Sequence, residues 1–493
     1  MGAIQEFDLE TLDYDAEVLL DSEILDMDSY KLVHASIAKL MGMQASLSYS
    51  EPRAKNEMVK VIGRQIRLTD IKPITMQQID EAEKYFALHI QDGEKYFPRE
   101  DWETVVREYN GYMPIRVRGL PEGSIVPSGL ALTTYEVNEP NHPELSWMGQ
   151  YAETANLRAE WYPITVASKS MKIRNRMMHY LDLTSDIDKK IAVMFMYHDF
   201  GGRGVSSKQS AGIGGCAHLA TGAMGTDTAT GILYAKKYYG ARMAAHSVFA
   251  TEHSIMTFRG KDGELQTVRD CIATAKANRS TNPNARRTIV SLVSDGFNIY
   301  NLVDHYCTTL KQEILDAEIN LVIRPDSGDK IKIILWILNR VAETYGFTVN
   351  SKGYKVLNMV RILQGDGLSD FDDFEEVFKA VTDAGYSLEN MVFGQGGGLL
   401  QQVNRDDLKF AQKTCAAMVN NVWIGVAKDP ITDSGKRSKV GLLTTVKLAD
   451  GTLATVDRQE IPPGAVDLFE DIWYAGTFQR KYQWQEVCQE NYL

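Results

Sequence analysis

Four glycines follow a short apolar segment in NMVFGQGGGLLQQ, at Gly394, Gly396, Gly397 and Gly398. Glycines in a turn that opens a helix let backbone N–H groups approach a phosphate, and the helix dipole favours the bound anion. A tight strand-to-helix turn without a ligand explains the same residues equally well. The turn does not complete a G-x-G-x-x-G fingerprint, and the chain has no G-x-x-x-x-G-K-[ST] motif, so neither a Rossmann fold nor a P-loop is indicated.

Charged residues follow another apolar segment in INLVIRPDSGD, where Arg324 and Asp326 precede Ser327 and Gly328. An arginine can bind phosphate through two parallel hydrogen bonds, and an aspartate can hold a ribose hydroxyl or belong to a Mg²⁺ shell. An ordinary β-turn accounts for the proline and the glycine but leaves the arginine and aspartate pair unexplained.

Two further apolar segments end in an aspartate. VSLVSDG contains Ser291, Ser294 and Asp295, and RILQGDG contains Gly365 and Asp366. A single aspartate in such a place is often a helix cap, and Ser369 with Asp372 has the character of a capping box. Three aspartates at successive strand ends instead predict a shared polar centre.

The segment HDFGGRGVSSKQSAGIGGCAH begins at His198 and combines Phe200 and Arg203 with several glycines and serines. An aromatic ring with a nearby guanidinium suits stacking on a flat heterocycle, although a phenylalanine taken singly more often belongs to a core. In SVFATEHS, His253 stands beside Glu252 at another strand end. A structural hydrogen bond and a nucleophilic or proton-transfer role explain this histidine equally well.

Cations accumulate in the last third of the chain, in NRDDLKFAQK and VAKDPITDSGKRSK. A solvated basic loop is the ordinary interpretation. A polyphosphate-binding cluster is the alternative, because a glycine-rich turn lies just upstream in an otherwise acidic protein. The residues concerned are Arg405, Lys413, Lys428, Lys436, Arg437 and Lys439.

These residues need a scaffold that brings successive strand ends together. From about residue 190, strand-type segments alternate with amphipathic helical ones such as DKIKIILWILNRVAETY. The strand-type segments are VMFMYH, SVFATEH, TIVSLVSD, INLVIRPDSG, NMVRILQGDG, NMVFGQGGG and NVWIGVAKDP. This alternation indicates a parallel sheet, doubly wound or closed into a barrel, with ligands at the carboxyl ends of its strands. Candidate chemistry at several strand ends favours a barrel with one central site.

Composition excludes several classes of protein. With 53 Lys+Arg against 65 Asp+Glu in 493 residues, the formal net charge is −12, which argues against a nucleic-acid partner. The five cysteines lack the spacing of a disulfide framework or a zinc site. The acidic N-terminus does not resemble a targeting peptide, and no apolar segment is long enough to span a membrane. We therefore expect a cytoplasmic protein with no membrane or nucleic-acid partner.

Ten motifs, in order along the chain, resemble those of the nicotinamide phosphoribosyltransferases of the type II phosphoribosyltransferase family. They are HDFGGRGVSS, AGIGGCAHL, GTDTATGI, EHS, SLVSDGFNIY, LVIRPDSG, SKGYKVL, QGDG, FGQGGGLLQ and KDPITDSGKRSK. DMDSYKLVH near the start is similar to the family's N-terminal DSYK segment. With gaps, the resemblance runs from about residue 26 to the C-terminal region.

The resemblance implies an α/β fold: a parallel β/α barrel with a second α+β domain formed from the N-terminal half and the C-terminal tail. We expect the N-terminal domain over residues 1–188, with an extension of about 25 residues at its start. The barrel and active site would occupy 189–428, and 429–493 would pack back on the N-terminal domain. The family forms homodimers with shared active sites and converts nicotinamide and phosphoribosyl pyrophosphate to nicotinamide mononucleotide and pyrophosphate, for NAD salvage.

The resemblance also assigns residues to the base. Phe200 and Tyr30, the latter from the partner subunit, would sandwich the pyridine ring. Arg203 would contact the ring and its carboxamide, and Asp227 would accept the amide N–H. A carboxylate there disfavours nicotinate, whose second anionic oxygen would face it at close range. Ser247 and Ser291 would line the tunnel that admits the base.

Other residues would bind phosphoribosyl pyrophosphate, Mg²⁺ and ATP. Asp295 and Asp326 would serve the Mg²⁺ shell, partly through water, and the ribose, while His253 matches the family histidine that is phosphorylated when the coupled substrate ATP is hydrolysed. Because the pyridine nitrogen has a free lone pair, the transfer needs positioning and charge stabilisation but no general base. The remaining assignments are Gly365 and Asp366 to ribose, Gly396 and Gly397 to the 5′-phosphate, and Arg53, Arg324, Arg405, Lys413, Lys428 and Lys436 to pyrophosphate or ATP.

The chain departs from familiar family members at Gly202, where they have an aromatic residue, and by one extra residue between His218 and Asp227. Nicotinate phosphoribosyltransferase, with the same fold but the acid as substrate, is the nearest alternative, and Asp227 and Tyr30 argue against it. A non-catalytic nucleotide-binding relative would have lost strand-end carboxylates or cations, and none is visibly lost. A barrel lyase or aldolase would need a strand-end lysine for a Schiff base, and the strand segments carry no obvious one.

Overall fold

The computed structural model describes residues 11–278, 288–428 and 438–493. The chain divides into two compact units, Met1–Thr165 with Asn404–Leu493, and Val166–Val403; the sequence predicted domain ends at 188 and 428. The helix Glu153–Thr184 contains the first division. Residues 404–428 belong to the first unit because strand Ala411–Val419 pairs with strand Met43–Glu51.

An antiparallel sheet, seven-stranded over the described residues, forms the centre of the first unit. Its strands, in spatial order, are Val422–Gly425, Ala411–Val419, Met43–Glu51, Thr133–Val137, Arg116–Gly119, Glu470–Tyr474 and Thr477–Phe478. Two smaller sheets contain Leu453–Asp457, Leu443–Lys447 and Val466–Asp467, and Met58–Lys60, Ser124–Pro127 and Asn491–Tyr492. Strands from both ends of the chain thus share one sheet, which confirms an α+β domain built from the N-terminal half and the C-terminal tail.

Helices of the first unit follow from local signals. Met76–His89 begins at a capping box in which Thr75 and Gln78 bond each other's backbone N–H groups, and it buries Ile79 and Phe86 on one face. The other helical segments of this unit are Ala16–Leu20, Ser29–Val33, His34–Leu40, Arg64–Asp70, Gly93–Tyr96, Arg99–Glu108, Pro143–Leu145, Met148–Tyr151, Trp484–Cys488 and the first part of Glu153–Thr184.

A parallel sheet forms the centre of the second unit. Its strands are β1 (Tyr197–Asp199), β2 (Gly225–Thr226), β3 (Phe249–Ala250), β4 (Ile289–Val293), β5 (Asn320–Arg324), β6 (Val360–Gln364) and β7 (Met391–Gln395). Their spatial order is β2-β1-β7-β6-β5-β4-β3, and every pairing is parallel. A parallel bridge between Gly225 and His246, just before β3, brings the two edges of the sheet together. The sheet therefore curls into the predicted β/α barrel with its strands in chain order.

Helices connect the strands and cover the barrel, as parallel pairing requires. Asp329 caps the helix Lys330–Tyr345, and Asn298 caps Ile299–Cys307. The other helical segments are Lys189–Met196, Gly201–Arg203, Lys208–Leu219, Ala229–Tyr239, His253–Met256, Gly260–Ala277, Lys311–Asp316, Phe371–Asp383, Leu388–Asn390 and Gly397–Leu400. The strands Phe347–Val349 and Lys355–Leu357 form a separate two-stranded sheet.

Three strand predictions were wrong in detail. NVWIGVAKDP does not enter the barrel: Val422–Gly425 pairs with Ala411–Val419 through a turn in which Asn420 and Asn421 both have positive φ, the geometry of a hairpin. Most of VMFMYH is helical, because Asp188 caps Lys189–Met196 and only Tyr197 onwards is extended. The sequence missed β2, since two residues rich in glycine and threonine give no apolar pattern.

The capping box predicted at Ser369 and Asp372 lies one residue later. Asp370 is the N-cap of Phe371–Asp383, and its carboxylate accepts the backbone N–H of Asp373, whose own carboxylate accepts the N–H of Asp370. In the three ranges that the structure describes, no helix has both the length and the apolarity needed to cross a bilayer.

An aromatic cluster joins the helix Phe371–Asp383 to the barrel. Phe374 is fully buried, with ring centroids 5.6 Å from Tyr197 on β1 and 5.9 Å from Phe393 on β7. We expect Phe374→Ala to lower the free energy of unfolding by about 3 to 5 kcal/mol, because it removes packing that spans three elements. Urea denaturation measures the loss. Phe347→Ala, at a 41% exposed position, is the control, and an equal shift in both variants would contradict this account of the core.

Candidate active site

A cavity of about 680 Å³ lies at the carboxyl ends of the barrel strands. Phe200 and Arg203 reach it from the turn after β1, Asp227 from the turn after β2, and Arg324 from the end of β5. Gly202 and Thr228 also line it, and a Cβ atom added at Gly202 would lie 3.0 Å from the Thr228 hydroxyl. A residue larger than glycine at position 202 would therefore crowd the Thr228 side chain.

The position of the Phe200 ring depends on a glycine of β7. The Phe200 backbone N–H donates to the Gln395 carbonyl at 2.9 Å, and the Arg324 guanidinium lies 5.4 Å from the ring centroid. A Cβ atom at Gly394 would fall 2.0 Å from the same ring. Packing against the Phe200 ring therefore explains Gly394 without any ligand. The glycines that follow it remain candidates for binding phosphate.

Those glycines are held against the loop that follows β6. Lys169 Nζ donates to the carbonyls of Ser369 at 3.0 Å and Gly398 at 2.7 Å, and Gln395 Nε2 donates to the Ser369 carbonyl at 2.9 Å. A Cβ atom at Gly397 would meet nothing within 4 Å. Its backbone therefore has open space beside it, which suits the approach of a ligand such as a phosphate.

Asp227 and Ser247 are brought together by the barrel. The Ser247 hydroxyl donates to Asp227 Oδ1 at 2.6 Å, and the Asp227 backbone N–H donates to the Asp199 carbonyl at 2.9 Å. Asp227 is exposed to the cavity. It is an oriented carboxylate, able to accept a further hydrogen bond from a ligand.

Sequence reasoning missed Asp199, the last residue of β1. Its side chain is fully buried, and burial raises the pKa of its carboxyl to about 6, against the lowering effect of the Gly201 N–H. The sequence contains a signal for it, because Asp199 is one more aspartate at a strand end.

A second cavity, of about 240 Å³, is lined by one aspartate of the predicted polar centre, Asp326, together with His253 and Arg324. His253 lies between two carboxylates, with Nε2 3.1 Å from Asp295 Oδ1 and Nδ1 3.9 Å from Asp326 Oδ2. Because a carboxylate can only accept, Nε2 carries the proton of this hydrogen bond, and Nδ1 is the nitrogen with a lone pair when the ring is neutral. The imidazole is 46% exposed, so a ligand can reach it.

Arg324 belongs to both cavities. Its Nη2 donates to Asp326 Oδ1 at 2.9 Å, and its buried Nε has no partner among the described residues. Ser327 Oγ donates to Asp295 Oδ2 at 2.5 Å. The two aspartates and the histidine are therefore oriented by neighbours, and the arginine connects them to the ring of Phe200.

Of the remaining predicted barrel residues, Gly365 lies beside Arg324 and Phe200, and Ser291 lies within a strand of the barrel. A Cβ atom at Gly365 would lie 3.6 Å from Arg324 Nε and 3.7 Å from the Phe200 ring. The Asp366 carbonyl accepts a hydrogen bond from Gln364 Nε2 at 2.6 Å. Ser291 is buried in β4.

The donor set around Asp295 and Asp326 fits Mg²⁺ only as a partial shell. The described residues contain no group of three or more His, Cys, Asp or Glu side chains that could hold a metal ion. Mg²⁺ is commonly bound through one or two carboxylates, with water and substrate phosphates completing its six ligands. Two carboxylates beside a cavity that also contains Arg324 match that pattern.

Predicted cations of the first unit also lie together. Burial lowers the pKa of Lys413, and the charges of Arg53, Arg405 and Lys428 lower it further, while Glu153 opposes them. Arg53 Nε is held by Glu51 at 2.6 Å. Lys436 lies outside the described residues. The mutual effects identify a concentration of positive charge within this unit, centred on Lys413.

Tyr30 also belongs to the first unit, on the turn Ser29–Val33. Its side chain is 63% exposed, whereas its neighbour Lys31 is buried and donates to the Gln150 carbonyl and to Glu153, both at 2.8 Å. A buried lysine with two acceptors holds this turn, so Tyr30 is an exposed aromatic ring on an anchored support.

Two family profiles match the chain. That of the nicotinate phosphoribosyltransferase (NAPRTase) family matches residues 195–459, more than half of the chain, and that of the nicotinamide phosphoribosyltransferase N-terminal domain matches 22–117. The first of these profiles begins at residue 195, close to the start of the barrel at β1.

Individual relatives agree with the profiles. The chain is 38% identical over 476 residues to a nicotinamide phosphoribosyltransferase of Xanthomonas campestris pv. campestris (strain 8004), covering 95% of this chain and 97% of that protein. It is 33% identical over 371 residues to one of Acinetobacter baylyi (strain ATCC 33305 / BD413 / ADP1), covering 71% and 70%. The solved nicotinate-nucleotide pyrophosphorylase from Pyrococcus furiosus has a TM-score of 0.59 at 14% identity, covering 97% and 95%, which shows a shared fold.

Fold, profile and relatives thus agree over nearly the whole length of the chain. The barrel carries its cavities at the strand ends, where enzymes of this architecture bind their substrates. The chain therefore belongs to the nicotinate phosphoribosyltransferase family and is a phosphoribosyltransferase, an enzyme of the glycosyltransferase class.

Proposed function

We propose that this enzyme transfers phosphoribosyl from phosphoribosyl pyrophosphate to nicotinamide, giving nicotinamide mononucleotide and pyrophosphate in NAD salvage. The observation that carries the proposal is the cavity lined by Phe200, Arg203 and Asp227, which combines an aromatic surface, a guanidinium and an oriented carboxylate. The names of the Xanthomonas and Acinetobacter relatives support the same substrate.

Asp227 favours the amide over the acid. Nicotinamide offers an N–H donor to a carboxylate, and Ser247 already occupies Asp227 Oδ1, which leaves the second oxygen for the base. Nicotinate would bring a carboxylate against a carboxylate in a partly enclosed site, where like charges repel strongly. Arg203 would contact the ring and its carboxamide from the neighbouring turn.

Transfer at ribose C1 requires positioning more than proton transfer, since the pyridine nitrogen attacks with its own lone pair. Gly396 and Gly397 would receive the 5′-phosphate, and Arg324 would stabilise the charge of the departing pyrophosphate. The cations around Lys413, within the first unit, are further candidates for binding pyrophosphate or ATP. Asp295 and Asp326 would hold Mg²⁺, which when bound supplies further neutralisation of that charge.

Tyr30 supports a homodimer with shared active sites. An exposed aromatic ring on an anchored turn is suited to complete the base site of a second subunit. In that arrangement Tyr30 would stack on the base bound by Phe200 of the partner subunit.

His253 would couple ATP hydrolysis to synthesis as a phosphohistidine. Its Nδ1 is the available nucleophile when Nε2 donates to Asp295. Attack of Nδ1 on the γ-phosphorus of ATP forms an N–P bond and releases ADP, and water later cleaves that bond to phosphate. Arg324, bonded to Asp326, is a guanidinium in the same cavity that would balance the added charge.

We expect a higher kcat/KM with nicotinamide than with nicotinate, and we expect Asp227→Ser to reduce that ratio by roughly 10- to 100-fold, since a hydrogen bond to a charged group contributes about 1.5 to 3 kcal/mol. Steady-state assays of both bases at saturating phosphoribosyl pyrophosphate measure the ratio. Asp316→Ser, at an exposed helix end, is the matched control. A wild-type enzyme that prefers nicotinate would overturn the proposed function in favour of nicotinate phosphoribosyl transfer.

His253→Ala should abolish ATP hydrolysis but retain part of the ATP-independent synthesis, because the imidazole accepts phosphate and does not contact the reacting C1 atom in this proposal. ADP release and nicotinamide mononucleotide formation are measured in parallel. His305→Ala should keep ATPase activity, since the His305 imidazole lies away from both cavities and bonds the Thr309 hydroxyl on its own helix end. Normal ATPase activity in the His253 variant would remove the phosphohistidine from the mechanism.

Lys413→Met should raise the KM for phosphoribosyl pyrophosphate by about 10-fold, the effect of losing about 1.4 kcal/mol of charge-assisted binding, and change the KM for nicotinamide little. Initial rates over a phosphoribosyl pyrophosphate series measure this effect. Lys447→Met, at the exposed end of strand Leu443–Lys447, is the control. If the two variants behave alike, the cation cluster does not bind this substrate.

A further inference from the structure

Asp199 lies behind the base cavity and is a group that the reaction itself does not use. It ends β1, is fully buried, and is followed directly by Phe200. The helix Lys208–Leu219 packs closely over it, because a Cβ atom at Gly215 would lie 3.4 Å from Asp199 Oδ2. Such a carboxylate has no room for a ligand and acts only on the residues that surround it.

Its first oxygen holds the turn after β1. Asp199 Oδ1 accepts the Gly201 backbone N–H at 2.7 Å, which closes an Asx-type turn over Phe200. The helical turn Gly201–Arg203 starts from this bond. The direction in which Phe200 and Arg203 leave the strand is therefore set by the Asp199 carboxylate.

Its second oxygen holds the turn after β2. Thr226 Oγ donates to Asp199 Oδ2 at 3.2 Å and accepts the Thr228 N–H at 2.9 Å. The Asp227 N–H donates to the Asp199 carbonyl at 2.9 Å. Asp227 is thus fixed on both sides by bonds that lead back to Asp199.

We infer that Asp199 is a positioning residue for the base: by bonding Gly201 with one oxygen and Thr226 with the other, it sets the distance between the Phe200–Arg203 turn and the Asp227 turn. The inference rests on the proposed function, in which these two turns bind opposite parts of nicotinamide. It adds a residue that acts on base recognition without touching the base.

The ionised carboxylate costs stability at this position. Burial, with a smaller contribution from the neighbouring Asp227 carboxylate, raises its pKa from an ordinary value of 3.8 to about 6, against the lowering effect of the Gly201 N–H. Between these values the folded state holds the proton more tightly than the unfolded state, so the folded state loses stability as the pH rises towards 6 and does not recover it above. A group that is unfavourable for folding yet fully engaged with two binding turns is characteristic of a functional site.

Other titratable groups lie close to Asp199. Tyr197 on β1 has a pKa raised well above 10 by burial, and His218 on the helix Lys208–Leu219 has a pKa lowered to about 3 by burial. His198, the preceding residue, has a pKa lowered by burial. Asp227 is the other carboxylate in the set.

The test is Asp199→Asn, which keeps the size of the side chain but replaces one acceptor with a donor. We expect the KM for nicotinamide to rise at least 10-fold while the KM for phosphoribosyl pyrophosphate changes less than 2-fold, and the preference for nicotinamide over nicotinate to fall. The difference in melting temperature, variant minus wild type, should be more positive at pH 8 than at pH 4.5. The reason is that the wild type must form a buried charge at pH 8, whereas the variant has none to form.

Asp188→Asn is the matched control, since Asp188 caps the helix Lys189–Met196 before β1; it should leave both KM values unchanged. Thr226→Val removes the hydroxyl through which Asp199 and the Thr228 N–H are connected and should raise the KM for nicotinamide, and Thr226→Ser, which keeps the hydroxyl, should retain the wild-type KM. If Asp199→Asn does not fold, these two Thr226 variants test the positioning role of Asp199 instead.

A parallel rise in both KM values, or a loss of melting temperature at every pH with an unchanged KM for nicotinamide, would show a structural role only and overturn the inference. Failure of the proposed function has a separate signature, because the wild-type enzyme itself would then not convert nicotinamide in preference to nicotinate.

Discussion

Parallel pairing of β1 with β7 is the constraint on which the cavity of Phe200, Arg203 and Asp227 depends. Asp199 and Gln395 lie near opposite ends of the barrel sequence, yet they are paired in the sheet. The next backbone N–H, that of Phe200, donates to the Gln395 carbonyl. This pairing carries the Phe200 ring over Gly394, where no Cβ atom fits. The aromatic surface, the glycine turn and the buried Asp199 are therefore consequences of one strand contact, and a change in its register would displace all three.

Arg324 places one positive charge beside both cavities. It lies over the Phe200 ring, donates to Asp326, and through that carboxylate adjoins His253. A charge added at His253 would act on the guanidinium that also borders the cavity of Phe200. The chain has a net charge of −12, so a polyanionic ligand would need cations placed at particular positions.

Part of the site was predictable because chemistry follows strand ends. His253, Asp295 and Asp326 were each recognised as strand-end residues, and parallel strands carry such residues to the same edge of a sheet. β2 was not recognised, because Gly225 and Thr226 give no apolar pattern, and the strand Val422–Gly425 was assigned to the barrel although it forms a hairpin with Ala411–Val419. Apolar runs identify strands but do not state which sheet receives them.

The sequence by itself determined the family and the α/β class, and it supplied the candidates for binding phosphate, base and metal, because these depend on residue types and local spacing. Only the tertiary structure decided how they are held. It gave Gly394 a steric role, placed His253 between Asp295 and Asp326, and joined Asp199 to the turns of Phe200 and Asp227. Those relations arise from hydrogen bonds and close contacts between strands far apart in the chain, which no local pattern encodes.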